Sequence, residues 1–179
     1  MEKIRMNDDK FHYVAVTGVI VKDGKYLIVK RSNKEKAFPG LWTVPGGKLE
    51  QSDYVNNPKD TGDSWYNILE KVLEREVKEE TGLNIRNFRY LLSLAFIRPD
   101  NIPVTVNSFY CDYDSGDIGL SDELVDYKWV SIDELGQYSL ISGIREEIEM
   151  VDKQLKEGKQ SSWSGIYNDD GEKSMIKGA

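Results

Sequence analysis

The stretch REVKEETGL (75–83) decides how this chain reads. Taken as the end of a helix, it sets Glu76, Glu79 and Glu80 at i, i+3 and i+4, so three carboxylates share one face. Upstream, Trp65, Leu69, Val72 and Leu73 continue that face as an apolar stripe suited to a core. A core-facing stripe that ends in three like charges is a conflict, because neighbouring carboxylates repel and burial makes the repulsion worse. A cation at that end removes the conflict. The plain alternative is a solvated acidic face, the usual reading of a Glu-Glu pair standing alone.

The segment TVPGGKLE (43–50) breaks regular structure at Pro45-Gly46-Gly47. Its glycines permit a tight path that can bring a carbonyl beside the carboxylates. Carboxylate and carbonyl oxygens are hard ligands, suited to Mg²⁺, Mn²⁺ or Ca²⁺. The polar segment QSDYVNNPKDTG (51–62) reads as an exposed loop. Asp63 or Ser64 can then cap a helix from about Trp65 to Thr81, stopped by Gly82.

Earlier in the chain, FHYVAVTGVIV (11–21) and KYLIVKR (25–31) have strand composition, and Asp23-Gly24 is a hairpin turn signal. Later, NFRYLLSLAFIR (87–98), VTVNSFYCDY (104–113) and LVDYKWVSI (124–132) read as strands, the first two joined by PDNIP (99–103). Asp133-Glu134-Leu135 opens a short helical turn. Ile141, Ile144, Ile148, Val151 and Leu155 recur at helical spacing within 139–158, so that segment packs one face on the sheet. Strands flanked by two substantial helices predict an α/β or α+β sandwich. One domain is expected over 1–158. The polar tail, 159–179, is expected to be loosely ordered, with Trp163 and Tyr167 able to anchor it.

The chain has 179 residues, with 39% hydrophobic and 31% charged, which suits a globular domain rather than a disordered one. A net charge of −7 provides no basic field for nucleic acid or an anionic membrane. No apolar run reaches membrane-spanning length, and a cytoplasmic location is the default expectation. Cys111 and His12 are the only residues of their types, which excludes an intramolecular disulfide and a Cys/His zinc site.

These motifs together resemble the Nudix hydrolases, whose signature runs G-x5-E-x7-R-E-U-x-E-E-x-G-U, with U a bulky aliphatic residue. Arg75 to Leu83 matches its second half at every fixed position, Gly46-Gly47-Lys48-Leu49-Glu50 resembles its opening, and FPGLWTVPGG (38–47) resembles the common lead-in. The resemblance covers about Val14 to Leu135. It implies a Nudix-like α/β/α sandwich with a mixed central β-sheet, in which a loop-helix-loop holds Mg²⁺ or Mn²⁺. The chain departs from the signature at the first Glu. Five residues separate Gly47 from Asp53, and 21 residues then lie between Asp53 and Arg75 instead of seven. Alternatively the pair Gly62-Asp63 fills the slot, with a gap of 11.

Carried over by residue, the resemblance makes Glu79 and Glu80 metal ligands and Glu76 a ligand or a general base. Arg75 orients Glu76, and the Gly46 carbonyl is a further ligand. In many relatives another acid stands six residues before a late Trp, as Glu123 stands before Trp129 here; the plain reading is one acid among several in SDELVD (121–126). Arg31 and Lys48 can neutralise phosphate oxygens, or serve as ordinary surface cations. Phe38 and Trp42 can stack on a base, although core packing is their ordinary role. The implied activity is hydrolysis of a phosphoanhydride in a nucleoside diphosphate linked to another group, with (d)NTPs first. The alternative is ADP-ribose or a nucleotide sugar, because Pro99 lies sixteen residues after Leu83, near a proline position of those relatives. A non-catalytic nucleotide-sensing module is the third reading, disfavoured by the intact carboxylates. The expected partner is a small nucleotide, and a homodimer is compatible.

Overall fold

The β-branched run in YVAVTGVIVK builds the central strand, β1 (Tyr13–Lys22), buried on both faces, with Val16 and Ile20 in the core on one side and Val19 in the core on the other. This computed structural model describes residues 10–159, 163, 165–167 and 173–175. The hairpin to β2 (Lys25–Arg31) turns at Asp23 and Gly24, both left-handed, as an Asp-Gly turn of the primed type requires.

Short strands β3 (Trp42–Thr43) and β4 (Gly46–Lys48) follow, then a four-residue helix α1 (Ser52–Val55) and the long helix α2 (Ile68–Thr81). The chain continues through β5 (Asn84–Ile97), β6 (Pro103–Ser115), β7 (Leu124–Val130), a 3₁₀ turn (Ile132–Gln137) and α3 (Ile144–Glu157). The sheet order is β3-β2-β1-β6-β5, with β4 also on β1 and β7 on β2. Among the described strand pairs only β1 and β6 run parallel, so the sheet is mixed; an isolated parallel bridge joins Trp42 to Leu140.

Each helix covers one face. Val72, Leu73 and Val77 of α2 pack on Val16, Ile20, Leu27, Val29, Phe109 and Cys111. Ile144, Ile148 and Val151 of α3 pack on Val19, Tyr26, Ile28 and Trp42. Full burial of each such aliphatic side chain contributes about 1.5–3 kcal/mol. The result is the expected α/β/α sandwich.

Several boundaries differ from the sequence reading. α2 begins at Ile68, not Trp65, and its N-cap is Asn67 in the left-handed conformation rather than Asp63 or Ser64. Trp65 leaves the helical stripe and stacks on Tyr54, 5.2 Å between centroids, while its indole N–H donates to the Asn57 carbonyl. The segment before α2 therefore folds on itself. α3 begins at Ile144; Ile141 precedes it, and Leu155 lies on its exposed side. Within the tail, Gly165–Tyr167 and Lys173–Met175 pair as an antiparallel ladder. Trp163 is exposed, and the Tyr167 side chain lies outside the description. Cys111 is buried and His12 exposed on the first residues of the chain described, so the two do not pair. Among the described residues no helix is long and apolar enough to cross a membrane.

Candidate active site

The signature acids sit where the C-terminal half of α2 meets β4. Burial of Val72, Leu73 and Val77 fixes the helix rotation, and the 100° step then turns Glu76 and Glu80 toward β4 while Glu79 stays outside. Glu80 is only 8% exposed, and its Oε2 accepts from the Gly46 N–H at 3.0 Å. Gly18 N–H donates to the Pro45 carbonyl and Leu49 N–H to the Val14 carbonyl. By antiparallel alternation the polar groups of Gly46 then face away from β1, on the α2 side. The Gly46 carbonyl is thereby free of the β1 ladder.

The neighbouring Gly47 leaves room for Glu76. A Cβ placed on Gly47 would fall 1.9 Å from Glu76 Oε1, so the carboxylate lies directly against that backbone. Sequence reasoning did not single out Gly47 as a site residue; the signal was the second glycine of the pair.

Arg75 organises the remaining acids. Its Nε donates to Asp53 Oδ1 at 2.7 Å, Nη1 to Glu79 Oε2 at 2.9 Å and Nη2 to Glu76 Oε1 at 3.1 Å. Burial opposes the guanidinium charge, but the hydrogen bonds to Asp53 and Glu79 and the charges of Glu76 and Asp53 outweigh it and raise its pKa. Asp53 Oδ2 also accepts from the Glu50 N–H at 2.7 Å. Asp53, not Asp63, is thus the acid that reaches the helix; the Asp63 carboxylate accepts from the adjacent Ser64 hydroxyl. Asp53→Asn is expected to loosen Arg75 and lower turnover about tenfold or more, as loss of an orienting partner does. Asp63→Asn should leave steady-state turnover unchanged. Equal losses in the two variants would reject this assignment.

Electrostatics mark Glu80 as the focal group. Burial pushes its carboxyl up to about 8; the Gly46 hydrogen bond and Arg31 pull it down, while Glu76 and Glu123 push further up. Burial also raises Glu76, opposed by Arg75. Arg31 donates to Glu35 and to the Ala37 carbonyl, so its guanidinium is already engaged. Lys48 is exposed at the end of β4. Glu123 is exposed, and its backbone carbonyl accepts from Ser32 N–H at 2.8 Å, which ties its loop to the end of β2. The same loop receives the end of α2: Ser121 N–H donates to the Glu80 carbonyl and Gly119 N–H to the Thr81 carbonyl, satisfying two terminal helix acceptors. Phe38 corrects the core-packing reading. It is 44% exposed at positive φ, with its ring 6.4 Å from that of Phe96, whereas Trp42 is a core residue.

A divalent cation suits this donor set. A carboxylate as enclosed as Glu80, with like charges facing it and one backbone donor, is under-compensated. Its surroundings supply further oxygen donors from Glu76, Glu123 and the Gly46 carbonyl, all hard ligands. Among the described residues no three Asp, Glu, His or Cys side chains stand close enough together to hold a metal ion as they are arranged; Arg75 draws Asp53, Glu76 and Glu79 to its own nitrogens.

The NUDIX domain profile matches residues 12–152, which include every one of these acids. The chain belongs to the Nudix family. It is 30% identical over 135 residues to the nucleoside triphosphatase NudI of Salmonella agona, covering 70% of this chain and 86% of that one. Among solved structures it is similar to a MutT protein from Methanosarcina mazei Go1, with a TM-score of 0.61 and 28% identity over 83% of this chain and 98% of that one. The NUDIX domain of Shewanella oneidensis NrtR, solved with ADP ribose, shares the fold at TM-score 0.62 and 20% identity, covering 82% and 90%. This Nudix chain is therefore a hydrolase of the nucleotide-pyrophosphatase kind, a family that generally uses divalent metals.

Proposed function

We propose that this Nudix hydrolase is a Mg²⁺- or Mn²⁺-dependent pyrophosphohydrolase of nucleoside triphosphates, including (d)NTPs. The observation that carries the reading is the buried Glu80 carboxylate, held by Gly46 N–H and facing the charge of Glu76 and Glu123. The likeness to a nucleoside triphosphatase supports the choice of substrate class.

Glu80, Glu76, the Gly46 carbonyl and Glu123 would hold the ion, joined by Glu79 when Arg75 releases it. When bound, a divalent ion supplies positive charge for phosphate oxygens and acidifies water. Glu76, with its affinity for protons raised by burial, is placed to accept the proton of the attacking water. Arg75 keeps Glu76 from turning away by a charge-assisted hydrogen bond. Lys48 and Arg31 offer positive charge to the phosphate chain, Arg31 by exchanging its contact with Glu35. The exposed Phe38 ring offers a stacking surface for the base.

A second reading, a nucleotide-sugar pyrophosphatase, draws on Pro99, which lies in the turn between β5 and β6. Product release measured across NTPs, dNTPs, ADP-ribose and nucleotide sugars with Mg²⁺ or Mn²⁺ separates the two. The expected result is the highest kcat/KM on a triphosphate, with pyrophosphate or phosphate released. Preference for a nucleotide sugar would replace the first reading by the second. The segment of residues 54–67 follows Asp53 directly and reaches α2 through the Asp60–Lys71 ion pair, so shortening it is expected to change the substrate ranking more than the metal requirement.

A further inference from the structure

We propose that the free edge of β5 pairs with β5 of a second copy of this chain, antiparallel about a twofold axis at Ala95, extending the sheet across a homodimer. β5 is the last strand of the sheet order, and its outer side carries no described partner. Its two halves differ. The register irregularities that protect an edge all lie between Asn84 and Leu92. From Leu92 to Ile97 the pairing with β6 is regular, from Leu92↔Ser108 to Ile97↔Pro103. The run YLLSLAFI (90–97) contains no charge, proline or glycine, so it lacks the usual devices that keep an edge single. Residues 93–97 are exposed throughout; Leu94 and Phe96 lie on the α3 side, and Ile97 is 71% exposed on the other.

The backbone phase sets the register. Arg98 N–H donates to the Ile102 carbonyl, which closes the hairpin. By alternation Phe96 and Leu94 also point their N–H groups at β6, and Ser93, Ala95 and Ile97 point theirs outward. Pro103, which has no N–H, accordingly stands opposite Ile97. A twofold pairing at Ala95 joins the outward groups of Ala95 to Ala95 of the partner subunit, and those of Ser93 to Ile97 of the partner subunit. It sets Leu94 beside Phe96 of the partner subunit on the α3 side, an aliphatic–aromatic cross-strand contact, and brings no like charges together. The second copy is favoured over open-ended stacking because the far side of the sheet offers only β3, two residues long, and β7, which carries Asp126 and Lys128. An uncharged strand then finds its match only in itself, and the isologous contact closes.

Sedimentation or light scattering of the full chain at submillimolar concentration tests this, with melting temperature as the folding control. The expected result is twice the chain mass for the wild type and a single chain mass for Ala95→Pro, which removes an outward N–H, and for Leu94→Lys. Under a mild thiol oxidant Ala95→Cys is expected to crosslink, because directly opposed hydrogen-bonded residues stand about 5.5 Å apart, within disulfide reach. Ser93→Cys should not, being four residues off its own copy. A monomeric wild type, a dimer that survives both edge variants, or crosslinking of Ser93→Cys without Ala95→Cys overturns the pairing.

Discussion

Glu80→Gln is expected to lower turnover by about 10²- to 10⁴-fold, since metal-assisted charge stabilisation supplies several kcal/mol and each 1.36 kcal/mol is tenfold. The amide keeps shape and can still accept from the Gly46 N–H, but it removes a charge and a hard ligand. Stability should move the other way. The Glu80 carboxyl is raised from 4.5 to about 8, so ionising it opposes folding. The stabilisation linked to its protonated form is complete below about pH 4.5 and is lost as the pH rises through about 8. Metal-free wild type should therefore melt at lower temperature as pH climbs through that window. Glu147 on α3 adds to the decline, because burial pushes it up to about 7 against the Ser108 hydrogen bond. Glu80→Gln should make the decline shallower without abolishing it, and its metal-free form should be at least as stable as wild type at pH 8. Mg²⁺ should raise the wild-type melting temperature more than that of the variant, since a ligand stabilises the state it binds. Full activity of Glu80→Gln at limiting Mg²⁺, with an unchanged metal-induced shift, would sink the metal assignment.

The glycine pair gives the second large effect, and the two positions should fail differently. A Cβ on Gly46 would stand 2.2 Å from the Val16 carbonyl and 2.8 Å from Thr17 Cα. Both are backbone, so β4 must leave β1, and Gly46→Ala should destabilise by about 3 kcal/mol, at the upper end of overpacking costs. For a chain of this size that corresponds to a melting temperature lower by about 6–12 °C. At Gly47 the obstacle is the Glu76 carboxylate, the mobile end of a side chain. Gly47→Ala should therefore melt within a few degrees of wild type, while the displaced Glu76 lowers kcat about a hundredfold. Wild-type kcat in a well-folded Gly47→Ala protein would remove Glu76 from the chemistry.

Much of the arrangement was legible because it is local. The helix step places Glu76, Glu79 and Glu80 near one another whatever surrounds them, and the short β-branched and aromatic runs make β1 and β2 readable as strands buried on both faces. The Asp-Gly hairpin needed nothing beyond its two turn residues. The start of α2 was not legible: Trp65 and Leu69 have helical spacing, but Trp65 gains more by stacking on Tyr54 and bonding to Asn57. The sequence left Phe38 between stacking and core packing for a similar reason, since an aromatic in an apolar segment looks like core until the loop's path is known.

The sequence by itself determined the acidic face of α2, a glycine pair able to come against it, and the family resemblance that joins them. The tertiary structure decided which acid does what: Glu80 is enclosed on Gly46, Glu79 stays outside on Arg75, and Asp53 rather than Asp63 reaches the guanidinium. The physical reason is range. Spacing along a helix is set by backbone geometry within one turn, whereas 21 residues between Asp53 and Arg75 leave many closures of similar entropic cost. Packing of the intervening segment on itself, through Tyr54 and Trp65, selects one of them.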